Sequence, residues 1–384
     1  MSLSLRVEAA ALIAAATVGD GVFALPFVFA RAGWAVAIVY LTVLGGMVVL
    51  AHTAYLETLE REGEHERLLG LARRYLGRAG FWFGFVAIVF GLLLTLVAYL
   101  ILGARFIQLG FPAVPPAAAY IAFWLFLAFA VLASDIRIAE LELGGIAAAT
   151  ASIVVLFAVI IRHADFHGIP AASAQNLFLP FGAVLFSLAG WTGVEPAYEL
   201  RKRSGMEEPR ESSHRFGARV SLGVSLAAGT ALAAFLYALF SAGVIGVAGA
   251  AGKVAGDTIS GLGAWPAWER GLVAVLGLLV IATTAAPISR EVRNALEGDL
   301  GWNTRTTRTI IVLFPIVCVA AGVRNFLGLV SVIGAVFLGA QYFLISVVGR
   351  RALPLPWFRA RLLDAAALLF AAAAVYELVG FIVK

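Results

Sequence analysis

Residues 17–34 read Thr-Val-Gly-Asp-Gly-Val-Phe-Ala-Leu-Pro-Phe-Val-Phe-Ala-Arg-Ala-Gly-Trp, which sets one acid between two glycines inside an apolar run. Gly19 and Gly21 weaken a helical ladder, and Pro26 interrupts it a turn later. Asp20 is costly at membrane depth unless it has a partner or a task. Non-helical backbone in a bilayer persists only where it lines a cavity or is buried in protein. A broken first helix therefore points to a binding site midway across a membrane. The freed amides around Gly21 and Val22, at a positive dipole end, could receive a carboxylate. Asp20 could cap those amides, pair with an ammonium or sodium ion, or take up a proton. An ionised Asp20 would repel a substrate carboxylate, which favours proton loading or an amine-type substrate.

A second interruption follows at Phe186-Ser187-Leu188-Ala189-Gly190-Trp191-Thr192-Gly193-Val194-Glu195-Pro196. Again two glycines, an acid and a proline cluster in the centre of an apolar segment. Gly190, Trp191 and Thr192 occupy the break, with Phe186 beside it. Glu195, just before Pro196, suits the start of a half-helix. Tyr99, in a third apolar run, could offer a hydroxyl to the same site. Thr283 and Thr284 lie in the middle of another run and are candidates for ion coupling together with Asp20 and Glu195, although such hydroxyls also bond back to their own helix.

The elements that must position these residues follow from composition. The chain is 62% hydrophobic and 13% charged, with mean hydropathy +0.96, which makes it an all-α membrane protein. Eleven apolar runs of span length are expected, from about 7–30 to about 361–382, the run 136–162 being crowded by charge at its start. Of the 28 Lys and Arg residues, 21 fall on one side of these spans, which places the amino terminus in the cytoplasm of a multi-pass inner-membrane protein. Basicity is thus topology, and the partners are a bilayer and a small molecule rather than nucleic acid. The polar segment 61–80 reads as a short surface helix. Cys318 is the single cysteine, so no disulfide framework or cysteine-rich metal site is expected, and the cofactor expectation is none beyond a coupling proton or sodium ion. His163 and His167 have metal-ligand spacing but lie in a polar loop without a cysteine. No phosphate-binding glycine loop and no nucleophile–base pair is visible, which argues against an ATP-driven pump and against an enzyme.

Two broken helices five spans apart are what a five-plus-five inverted repeat predicts, with the substrate held between the breaks. The repeats would cover about 7–162 and 177–348, with an extra helix at 361–382, in a single domain over 1–384. The first segment also resembles the G-x-G-x-x-x-L-P-x-x-x-x-x-x-G-W signature of the amino acid/auxin permease family, within the amino acid–polyamine–organocation superfamily. Val97–Leu102, the Gly190–Pro196 break, and Ala286-Pro287-Ile288-Ser289-Arg290 followed by Glu297 resemble that group's third, sixth and eighth helices. The resemblance implies the leucine-transporter-type fold and secondary transport of amino acids or related amines, driven by a proton or sodium gradient. It implies a sodium site where the Thr283 and Thr284 hydroxyls meet carbonyls freed by the first break. Asp20 departs from the group, which has a small or neutral residue there. The expected function is gradient-coupled amino acid transport by alternating access; the alternative is a transport-inactive amino acid sensor on the same scaffold.

Overall fold

The computed structural model describes residues 3–63, 67–133, 169–203, 212–248 and 258–383, with positions 147, 150–151, 153–155, 157–158, 164–166 and 254–256 between them. Most of the run 136–162, and both His163 and His167, lie outside the described residues. Among the described residues every regular element is helical.

The first apolar run is not one helix. Helix α1 (Leu3–Thr17) stops, a 3-10 turn spans Asp20–Phe23, and α2 (Leu25–Ala32) resumes the path. Gly19 is extended there, at φ −123° and ψ −164°. Pro26 falls in the first turn of α2, where its missing N–H removes no helical bond. The chain then forms α3 (Trp34–Glu62) and α4 (Leu68–Phe85). Gly77, at φ +70°, kinks α4 and ends its polar surface part, as expected for 61–80. The remainder runs through a π-helical turn at Val86–Phe90 into α5 (Gly91–Gly110). Helix α6 (Pro116–Ala133) follows.

The second expected break is present too. Helix α7 (Pro180–Leu188) gives way to a 3-10 turn at Trp191–Gly193 before α8 (Val194–Arg203). The rest comprises α9 (Ser212–Ala248), α10 (Ala267–Arg293), α11 (Thr304–Ala320), α12 (Phe326–Val332), α13 (Gly339–Ala352) and α14 (Trp357–Val383).

Six stretches among the described residues are long and apolar enough to cross a membrane: 34–62, 68–110, 222–248, 267–299, 326–352 and 357–380. Helix α5 is buried on nearly every side, with Val97, Ala98, Leu100, Ile101 and Leu102 wholly covered, so it is apolar all round. Helix α14 instead exposes Leu368, Val375 and Val379, a surface suited to lipid tails. Helix α1 packs on α9, α5 on α10, and α13 on α3 and α14, which brackets the two breaks between continuous helices.

Candidate functional site

The two breaks meet at the centre. A Cβ on Gly21 would stand 2.8 Å from Ser187 Cα, and one on Gly190 would overlap Thr17 Oγ1. Neither glycine has positive φ. Close approach, not handedness, requires them. Gly19 differs, because its Cβ would find Thr284 Cγ2 and Tyr99 Oη at an ordinary 3.8 Å. Tyr237 of α9 joins the breaks: its hydroxyl lies 2.5 Å from the Thr17 carbonyl and 2.7 Å from that of Ser187. One O–H donates to one carbonyl at a time, so the proton is shared between two helix ends that would otherwise lack partners.

Asp20 is 1% exposed. Its Oδ2 is buried with no hydrogen-bond partner. The Val22 amide bonds back to the Gly19 carbonyl at 3.4 Å. Of the amides expected to receive a substrate carboxylate, that of Val22 is therefore engaged by the turn. Tyr99 Oη of α5 and Thr284 both lie beside Gly19, next to Asp20.

A cavity with about 920 Å³ of empty space, its mouth included, is lined by Asp20, Tyr99, Phe186, Trp191, Thr192 and Thr284, with Gly19 and Gly21 at its inner end. Leu12, Ala15 and Ala16 of α1, Pro196 of α8, and Pro287, Ile288, Arg290 and Glu291 of α10 line the part that leads away. They surround the half-helix before the first break and the one after the second, so the cavity extends toward the end of the bundle where α1 begins. On the other side the Thr258 hydroxyl donates to the Phe23 carbonyl and holds the loop over the turn. The Trp191 indole N–H donates to Gln341 Oε1 at 2.6 Å, and Gln341 Nε2 donates to the Ala87 carbonyl at 2.8 Å in the π-helical turn. The aromatic wall is thereby fixed to α13 and to the segment before α5. Near the mouth, Tyr55 donates to Glu195, whose other oxygen lies 4.0 Å from Arg67 Nε. Arg201 pairs with Glu60, which gives α8 a second tie to α3.

Of the residues singled out in the sequence, Gly19, Asp20, Gly21, Tyr99, Phe186, Trp191, Thr192 and Thr284 line the cavity. Val22 is fully buried and, like Gly190, Thr283 and Glu195, is not among the lining residues. The Thr283 and Thr284 hydroxyls both donate to the Val280 carbonyl at 2.9 Å. Sequence reading did not single out Thr17, Thr95, Tyr237, Gln341 or Glu291. An amide in an apolar run is a signal that could have flagged Gln341. Nothing local distinguishes Tyr237 from an interfacial tyrosine.

Residues 4–197 match the model of the tryptophan/tyrosine permease family. This corrects the resemblance to the amino acid/auxin permease family, because the broken-helix motif reports the backbone geometry and not the family that uses it. No curated protein sequence matches the chain. Among solved structures, the Eremococcus coleocola manganese transporter in complex with an aromatic bis-isothiourea compound is similar at TM-score 0.66 and 15% identity, over 99% of this chain and 88% of that one. Mhp1, a nucleobase-cation-symport-1 family transporter in a closed conformation with bromovinylhydantoin bound, is similar at TM-score 0.62 and 14% identity, over 97% and 92%. Mhp1 in its inward-facing conformation gives TM-score 0.59 and 13% identity, over 97% and 90%. The fold is therefore the leucine-transporter type that the resemblance implied.

Proposed function

We propose, from the premise that this chain belongs to the tryptophan/tyrosine permease family, that it carries aromatic amino acids or related amines across the cell membrane by alternating access. It is a multi-pass membrane protein with a secondary transporter's fold. The observation that carries the reading is the cavity between the two breaks, where an acid with one unpartnered oxygen faces an aromatic wall of Tyr99, Phe186 and Trp191. Organic solutes with one charged end and one apolar body fit such a lining. The substrate leaves chemically unchanged.

A proton on Asp20 is the coupling ion in this reading. Tyr237 occupies the carbonyls of Thr17 and Ser187, and both threonine hydroxyls of α10 are bonded to Val280. Asp20 Oδ2, by contrast, meets no donor of the protein and is free to take a proton. Among the described residues no group of three or more His, Cys, Asp or Glu could hold a metal, which supports an organic cargo over the metal named for the manganese transporter. The two inverted repeats cover about 7–162 and 177–348, with α14 outside them. With the amino terminus in the cytoplasm, as the charge bias favours, the mouth of the cavity faces inward.

Reconstitution tests this. Proteoliposomes with imposed pH and sodium gradients should accumulate an aromatic amino acid or amine under the pH gradient. Binding without flux would make the protein a receptor, and flux that follows sodium alone would remove the proton from Asp20.

A further inference from the structure

Helix α4 carries the chain from a polar surface stretch into an apolar spanning one, and the change falls at the Gly77 bend. Arg73 and Arg78 stand on either side of that bend, and both are exposed. The Arg73 guanidinium reaches across it and lies 5.8 Å from the centroid of the Phe81 ring. Phe81 follows Arg78 by three residues, so the two arginines flank the same turn. A third cation comes from α13. Arg351 Nη1 donates to the Tyr75 carbonyl at 2.8 Å, which sets its guanidinium against the segment between the other two.

Neighbouring arginines are neutralised. Arg74 pairs with Glu62 at 2.8 Å, Arg350 with Asp364 at 3.3 Å and Arg359 with Glu57 at 3.1 Å. Arg73, Arg78 and Arg351 have no carboxylate partner among the described residues. Like charges so placed repel, and an anion among them relieves the repulsion. Directly beyond Arg78 the surface turns apolar. Trp82, Val86 and Phe90 follow at four-residue intervals and are 46%, 48% and 44% exposed. Phe83, beside them, packs on Phe343 of α13 with ring centroids 6.0 Å apart, so the stripe runs along the seam between α4 and α13. A small soluble anion has no use for such a stripe. An acyl chain does.

We propose that this corner binds one anionic phospholipid, with its phosphate among Arg73, Arg78 and Arg351 and an acyl chain along Trp82, Val86 and Phe90. A phosphodiester accepts N–H bonds from more than one guanidinium, in the planar geometry that arginine offers. Each basic residue close to a membrane surface adds to the attraction for anionic lipid. A zwitterionic phospholipid brings its own cation to the same place, which offsets that gain. The site stands apart from the cavity, which none of these residues lines, and does not depend on what the cavity carries.

Native mass spectrometry of the purified full chain tests this with dioleoyl phosphatidylglycerol, dioleoyl phosphatidylcholine and inorganic phosphate, each titrated alone. Phosphatidylglycerol should be retained as one tight copy, at least about tenfold tighter in Kd than phosphatidylcholine, and inorganic phosphate should not be retained. Arg78→Gln changes an exposed side chain and should weaken phosphatidylglycerol about fivefold, the factor expected of one cation near an anionic lipid surface. Arg361→Gln, at an equally exposed arginine on α14, should leave it unchanged. Equal retention of the two lipids by the parent protein overturns the proposal. Equal losses in the two variants overturn it as well, because they would show only diffuse attraction to a basic end of the bundle. Inorganic phosphate held as tightly as phosphatidylglycerol would make the corner an anion site without a lipid and also overturn it. The comparison on the parent protein stands even if a variant does not fold.

Discussion

Gly21 and Ser187 touch across the two breaks: a Cβ on Gly21 would stand 2.8 Å from Ser187 Cα. The halves of the site are therefore positioned by backbone contact, and a methyl group has nowhere to go. Gly21→Ala should cost about 1–3 kcal/mol, as overpacking does, and should abolish uptake. Gly19→Ala meets its nearest atoms at 3.8 Å and should keep most activity. Thermal unfolding in detergent and uptake, measured on both variants, check the contrast. Equal effects would mean that the glycines serve flexibility and not approach.

Tyr237→Phe removes the hydroxyl that the Thr17 and Ser187 carbonyls share. Leaving a buried acceptor unpaired costs about 1–3 kcal/mol. The variant should unfold at a lower temperature and transport slowly, because both breaks lose their common donor. An unchanged unfolding temperature would show that these carbonyls find other partners.

Both breaks were legible because glycine, proline and acid in one apolar run defy an unbroken helix, whatever the tertiary structure. Asp20 stood out for the same reason. The surface helix before Gly77 was legible from its charges. What closes the site was not. Tyr237 bonds to residues 220 and 50 positions away, and Gln341 to Trp191 across 150 positions. Such contacts follow from how continuous helices stack on the breaks, which no local pattern encodes. The amides around Gly21 and Val22 illustrate the same limit: sequence shows that they leave the helix, and only the fold shows that the Gly19 carbonyl takes up the Val22 amide. The family assignment went astray because the motif describes a break and not a cargo.

Gln341 holds Trp191 through its Oε1 and Ala87 through its Nε2. Gln341→Leu strands the indole N–H and the Ala87 carbonyl, at about 1–3 kcal/mol for each buried group. Gln341→Glu keeps an acceptor for the indole and should be milder. For aromatic substrates the leucine variant should raise KM several-fold while folded protein remains, as judged by gel filtration. A fall in kcat with KM unchanged would instead place Trp191 away from the bound substrate.

Accumulation by Asp20→Asn is the most direct test of Asp20 as the charged centre of the site. Asn and Asp cap helix starts about equally well, so the variant should fold and unfold much as the parent does. The amide can hold neither a proton nor an ion pair with an ammonium. In proteoliposomes under an imposed pH gradient, Asp20→Asn should bring substrate no higher than equilibrium while the parent concentrates it. Parental accumulation by Asp20→Asn, with the same dependence on pH, would reduce Asp20 to a cap and contradict the account.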